Sequence, residues 1–317
     1  AVLSWEPISE GAQGGYVDTE SITYKVVRFY QPTYEEDVIA EGLTSTSFVD
    51  DSYVLHNRQD RVQYKVIAVD DKGEGAETKT TIVLGEAYAM PYAESFASRE
   101  VANAPWSISA DFEVQVEPWF ICGNDGTILP FDKDGGVLTF SYYTQSGDQE
   151  KTEATVSSPR ISLAESNNPS LSFYMYHGAE VDEDELTLSV MISADDAEPV
   201  EIGRLDYNDG VTDGWRKHTF DLSAFKSALD IQIYLCGVAL NSSATIYLDD
   251  FHVRESYSTN LAIASYDMPK RVNVGDKTQF SVSVLNDARE LAKEFSVLLL
   301  RDGEVDETQT GSDLPVG

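Results

Sequence analysis

Polar and apolar residues alternate along most of this chain, and the clearest run lies between Gly214 and Glu255. Three strands are predicted there. In 218–222, Phe220 and Leu222 take alternate positions. In 231–238, Ile231, Ile233 and Leu235 share one face, while Gln232, Tyr234 and Cys236 share the other. In 244–253 the alternation holds to Leu248 and breaks at Asp249-Asp250. A period of two marks half-buried strands of an antiparallel sheet. Two adjacent carboxylates in a strand that packs a core repel when desolvated, so one of them must reach water, a donor or a cation.

The same period recurs on both sides. Strand-like runs at 1–7, 22–30, 46–51, 62–70 and 77–84 are separated by turn clusters at 10–15 and 70–75, the pattern of a β-sandwich. Further runs follow at 137–144, 169–176 and 186–193. Leu171, Phe173 and Met175 form the apolar set of the second, which turns Ser172, Tyr174 and Tyr176 outward. After a Ser/Thr/Asn linker at 255–259, strands are predicted at 260–263, 278–286 and 294–304. One helical pattern occurs, at 221–229. The fold class is all-β.

Particular residues carry family resemblances. Trp5 with Pro7, the run Tyr24 to Arg28, and the run Tyr64 to Val69 make residues 1–87 resemble a fibronectin type III domain without its first strand. That likeness implies a tyrosine corner at Tyr64, its hydroxyl bonding back to the chain. Residues 88–256 resemble the MAM-like jelly rolls of bacterial surface proteins, the cleaved-adhesin or choice-of-anchor domains. The matching residues are Pro91, Glu94 and Phe96, then Ser158-Pro159-Arg160-Ile161, Pro169 to Tyr176, Trp215, Asp221-Leu222-Ser223 and Ile246 to Phe251. Residues 257–317 resemble the first half of a CARDB-type immunoglobulin-like domain, although Asn286 is followed by Asp287 where that family usually has Gly. The resemblance implies a piece of a longer, extracellular bacterial polypeptide, secreted or on the cell surface. Its jelly roll would be an adhesion or ligand-binding unit, and further domains of the same polypeptide its neighbours.

Charge narrows the partners. The 317 residues carry 55 Asp and Glu against 22 Lys and Arg, a formal charge of −33. Residues 88–257 hold 29 of those acids and 9 of the bases. So negative a surface repels phosphate backbones and anionic lipids, which excludes nucleic acid. No run of about 20 apolar residues is present, so no membrane insertion is expected. Two cysteines, Cys122 and Cys236, make no disulfide framework.

Two candidate sites emerge. In jelly rolls the first and last strands lie close together, so Glu94 and Asp249 could share a structural calcium, with Asp250 as the alternate ligand. The alternative is that Asp249 caps a turn or accepts backbone N–H bonds. Tyr174, Tyr176 and Tyr234 project from outer sheet faces and could stack on sugar rings; the alternative is that tyrosine simply suits strands. Asp132-Lys133-Asp134 lacks the remaining positions of a calcium loop, and 181–185 is acidic loop. There is no GxSxG, HExxH, phosphate-binding glycine loop or CxxC, and the S-x-x-K at Ser223–Lys226 lacks its companion triplets. His56, His177, His218 and His252 show no metal spacing, and no pair of carboxylates stands out for glycoside hydrolysis. A non-catalytic module that binds a glycan or a host protein is expected. A spacer attached to a secreted peptidase or glycoside hydrolase is the alternative.

Overall fold

The computed structural model describes residues 1–11, 14–30, 35–97, 106–108, 119–123, 128–132, 135–141, 151–178, 186–207, 214–240, 245–267, 269, 271, 273, 275 and 277–316. The side chains of 107, 108, 120–123, 151 and 152 lie outside that description, as do Lys133-Asp134 and the acidic loop 181–185. Among the described residues the regular elements are all strands, apart from a 3-10 turn at Ser223–Phe225. The helical pattern at 221–229 yields only this turn, because so short a segment cannot repay helix nucleation. No helix of the described residues is long and apolar enough to cross a membrane.

In the first segment a four-stranded sheet runs in the order Glu35–Leu43, Thr23–Tyr30, Gln59–Asp70 and Gly73–Gly85. A ribbon of Val2–Ser4 and Ser47–Val49 lies against it. Leu3, Val26, Tyr30, Val62 and Tyr64 form its core. Tyr64 is 1 % exposed, and its hydroxyl donates to Asp50 Oδ2 at 2.8 Å, so the expected bond back to the chain ends on a side chain.

Asp50 also accepts Ser52 N–H, Ser52 Oγ–H and the Arg28 guanidinium. Burial alone would raise its pKa, but those donors hold it down at about 2 against the usual 3.8. A carboxyl depressed in the folded state stabilises fully above its unfolded pKa, and that stability is lost as pH falls through the folded value. About 2 kcal/mol is therefore expected to disappear between roughly pH 4 and pH 2. Urea unfolding followed through amide signals of the Thr23–Tyr30 and Gln59–Asp70 strands tests this: the gap between wild type and Asp50→Asn narrows over that pH window.

The central segment folds as two facing sheets. One runs Trp119–Gly123, Gly136–Ser141, Thr245–Glu255, Pro169–His177 and Gly214–Asp221, with Tyr92–Glu94 sharing the edge of Thr245–Glu255. The other runs Val200–Asp206, Leu186–Ala194, Ile231–Leu240, Lys151–Ser157 and Ser107–Ile108; Ile161–Ser162 also pairs with Ile231–Leu240. The alternation sorts the side chains as the pattern requires: Leu171, Phe173 and Met175 from one sheet meet Ile231, Ile233 and Leu235 from the other, each at most 1 % exposed. Beyond residue 260, two antiparallel pairs form, Leu261–Asp267 with Ser281–Asn286 and Ala292–Arg301 with Glu304–Leu314.

The first and central segments are fastened side to side. Gln59, 1 % exposed, donates to the carbonyls of Glu86 and Arg160 and accepts the Arg160 N–H. The Arg160 guanidinium forks onto both oxygens of Asp230 at 3.1 and 2.7 Å and also reaches the Val83 carbonyl. Tyr88–Ala89, in the connection, pairs in parallel with Ile161–Ser162. Buried backbone groups on both sides find partners in this clasp, which therefore resists hinging.

Candidate functional site

The break at Asp249-Asp250 is a β-bulge. Ser172 pairs with His252 while Tyr174 pairs with Asp249, so Thr245–Glu255 spends one residue more than its neighbour. Asp250 absorbs the change at φ 52°, a left-handed conformation that Asp tolerates better than most residues. The bulge resets the phase, which lets both Leu248 and Phe251 enter the core.

The two carboxylates then part. Asp249 is fully buried; its Oδ1 accepts the Asp250 N–H at 2.7 Å and its Oδ2 the Phe131 N–H at 2.8 Å. Asp250 turns to His252, Oδ1 to Nε2 2.7 Å, and this hydrogen bond, against the effect of burial, lowers its pKa. Glu94 lies opposite Phe251 on the paired strand, with Oε1 accepting the Phe96 N–H at 2.9 Å. The register thus brings Glu94 and Asp249 onto neighbouring strands, as expected. Among the described residues, no three His, Cys, Asp or Glu gather so as to hold a metal. Both oxygens of Asp249 hold backbone N–H groups.

What Asp249 holds is a strap across the outer face of the six-stranded sheet. The strap residues Leu129 and Phe131 are fixed at three points: Phe131 N–H on Asp249, the Trp215 indole N–H on the Leu129 carbonyl at 3.1 Å, and the Phe131 ring stacked on Tyr174 with centroids 3.5 Å apart. Tyr174 is consequently half-buried, and burial raises its pKa. One face of its ring is already taken.

Beyond the strap an aromatic row crosses three strands. Tyr176 pairs in register with Trp215. Their rings meet edge to face at 5.7 Å, and Tyr176 meets Tyr247 in the same way at 6.4 Å. All three side chains are partly exposed. Tyr234 does not join them. It lies on the other sheet, its hydroxyl donating to Gln232 Oε1 at 2.8 Å; burial raises its pKa, and the charge of Arg61 in the first segment opposes that rise. The three tyrosines expected on outer sheet faces are therefore spread over different places: Tyr176 belongs to the row, Tyr174 supports the strap, and Tyr234 lies on the other sheet.

Trp215, Tyr247 and Phe131 complete the surface and were not assigned to it from sequence. Tyr247 lies two residues before Asp249 and so on its face, a signal that was legible; the pairing of Trp215 with Tyr176 depends on register. Two of the four histidines also come together where spacing gave no hint: His177 Nε2 and His218 Nε2 are 2.8 Å apart, and His177 Nδ1 bonds the Tyr207 carbonyl. Cys236 is buried beside Glu153, its thiol 3.8 Å from Oε1.

No family model and no curated protein matches the chain. Among solved structures it is similar to the K2 cleaved adhesin domain of Lys-gingipain, at 17 % identity and TM-score 0.38, over 53 % of this chain and 99 % of that one. It is also similar to a carbohydrate-binding module of the β-sandwich superfamily, at 14 % identity and TM-score 0.34, over 74 % of this chain and 86 % of that one. A third is the mannan-recognising module TmCBM27, at 16 % identity and TM-score 0.33, over 51 % and 94 %. Scores this low leave function to the geometry of the outer face.

Proposed function

We propose that the chain is a non-catalytic glycan-binding protein, with its site on the outer face of the six-stranded central sheet. The observation that carries this reading is the row Trp215, Tyr176 and Tyr247, three partly exposed aromatic side chains in contact across adjacent strands. Such rings offer apolar faces to the C–H face of a sugar, while the tyrosine hydroxyls stay wet. On a rigid sheet they lose little conformational entropy when a ligand arrives. The acidic, strand-built surface suits an extracellular setting, secreted or on a cell surface.

A glycan and extracellular-matrix array probed with the whole chain tests the reading. Saturable retention on saccharide spots is expected, and a blank array with folded protein overturns it. The blank would favour the second reading, a rigid spacer, which has the clasp at Gln59 and Arg160 behind it.

Calcium at Glu94 and Asp249 is a separate proposal. An ion held there, at a concentration about a hundredfold above its dissociation constant, adds about 2.7 kcal/mol. A melting temperature higher in calcium than in EDTA supports it, and equal melting temperatures remove it.

A further inference from the structure

The outer face carries two cations beside the aromatic row. Lys217 stands opposite Tyr174 on one side of the central strand Pro169–His177, and Arg254 stands opposite Ser170 on the other. Both reach the same carboxylate, that of Asp287, Lys217 on Oδ1 and Arg254 on Oδ2. Asp287 comes from the segment beyond residue 260. Its backbone N–H donates to the Asn260 carbonyl at 2.8 Å, and Asn260 Nδ2 reaches back to Oδ2 at 3.4 Å. Nearby, Arg289 bonds Asn168 Oδ1 at 2.5 Å, which fastens the same loop to the central segment. The Lys217 and Asp287 side chains are only 10 % and 15 % exposed. Ser172, on the same face, is buried as well, so this end of the face is closed while the Tyr176 end stays partly open.

Two cations converging on one point form a seat for a carboxylate or sulfate. Here the seat is filled from within the chain. We propose that Asp287 is a specificity-determining residue: by occupying the Lys217–Arg254 pair it denies that pair to acidic sugars and reserves the aromatic row for uncharged glycans. The inference rests on the reading of that row as a glycan site. Asp250 faces the same pair and adds a second negative charge, with His252 bonded to it. An anionic ligand would thus meet an engaged cation pair on a segment where acids outnumber bases 29 to 9.

The test is affinity electrophoresis of the whole chain in gels containing either a neutral polysaccharide, such as hydroxyethylcellulose or galactomannan, or polygalacturonate. Wild type is expected to pass polygalacturonate unretarded. Asp287→Asn breaks both ion pairs that hold the loop over this end of the face, exposing the two cations, and is expected to raise affinity for polygalacturonate about tenfold, the usual worth of a charge-assisted hydrogen bond. The gain vanishes in Asp287→Asn combined with Lys217→Met, and in about 0.5 M salt. Asn260→Ala, which loosens the loop without changing a charge, gives a smaller gain of the same sign and serves should Asp287→Asn fold poorly. Wild type retarded by polygalacturonate as strongly as by neutral polymers, or no gain in either variant, overturns the proposal. Absence of retention by every neutral polymer strikes the glycan reading instead, and the polygalacturonate gels still judge Asp287.

Discussion

Asp249→Ala is expected to cost about 3–5 kcal/mol, the largest stability loss of any single substitution outside the apolar core. The carboxylate is fully buried and receives two backbone N–H groups, those of Asp250 and Phe131. Alanine leaves both donors without this acceptor, at about 1–3 kcal/mol each, and leaves a void where the carboxylate was. Asp249→Asn keeps one oxygen but turns an NH2 toward one of the two donors, so its loss is intermediate. Thermal melts in EDTA measure this with any metal contribution removed. The strap reports the same loss locally: hydrogen exchange at the Phe131 amide accelerates even under conditions where the sheets remain folded. A change below about 1 kcal/mol would mean that the bulge and the strap hold without this side chain.

Trp215→Ala is expected to weaken binding about 30-fold or more on whichever glycan the array identifies, since a buried aromatic anchor is typically worth at least about 2 kcal/mol. The ring has two tasks, as an end of the aromatic row and as the donor to the Leu129 carbonyl. Trp215→Phe separates them: it keeps a ring face and loses the N–H, so strap protection falls while much of the affinity stays. Tyr234→Ala, on the opposite sheet, is expected to leave binding within about twofold, the range of surface changes remote from a site.

The two-residue period made much of this fold legible. It located most inner strands of both central sheets but missed Trp119–Gly123, Lys151–Ser157 and Val200–Asp206, and it sorted Leu171, Phe173 and Met175 from Tyr174 and Tyr176, because each residue's side is a local property of a strand. It also marked the place where the alternation fails at Asp249-Asp250. What it could not contain was the reason, since a bulge is defined by the partner strand and the anchored loop is more than a hundred residues away in sequence. Tyr234 shows the same limit. Its outward direction was legible, whereas the charge of Arg61 that reaches it comes from another segment. Trp215 was legible as part of a resemblance, and became part of a surface only through its register with Tyr176. Asp287 lay where a family pattern was broken, and its role appears only once Lys217 and Arg254 stand beside it.

The central claim is that the aromatic row on the outer face of the six-stranded sheet receives a glycan. Its most direct test is an NMR titration of the whole chain with the best oligosaccharide from the array, following the indole N–H signals and the amides of both central sheets. The account predicts saturable shifts at the Trp215 indole and at the amides around Tyr176 and Tyr247, with the buried Trp106 and Trp119 indoles unmoved. Shifts gathered around Tyr234 and the clasp, with the Trp215 indole silent, would contradict it.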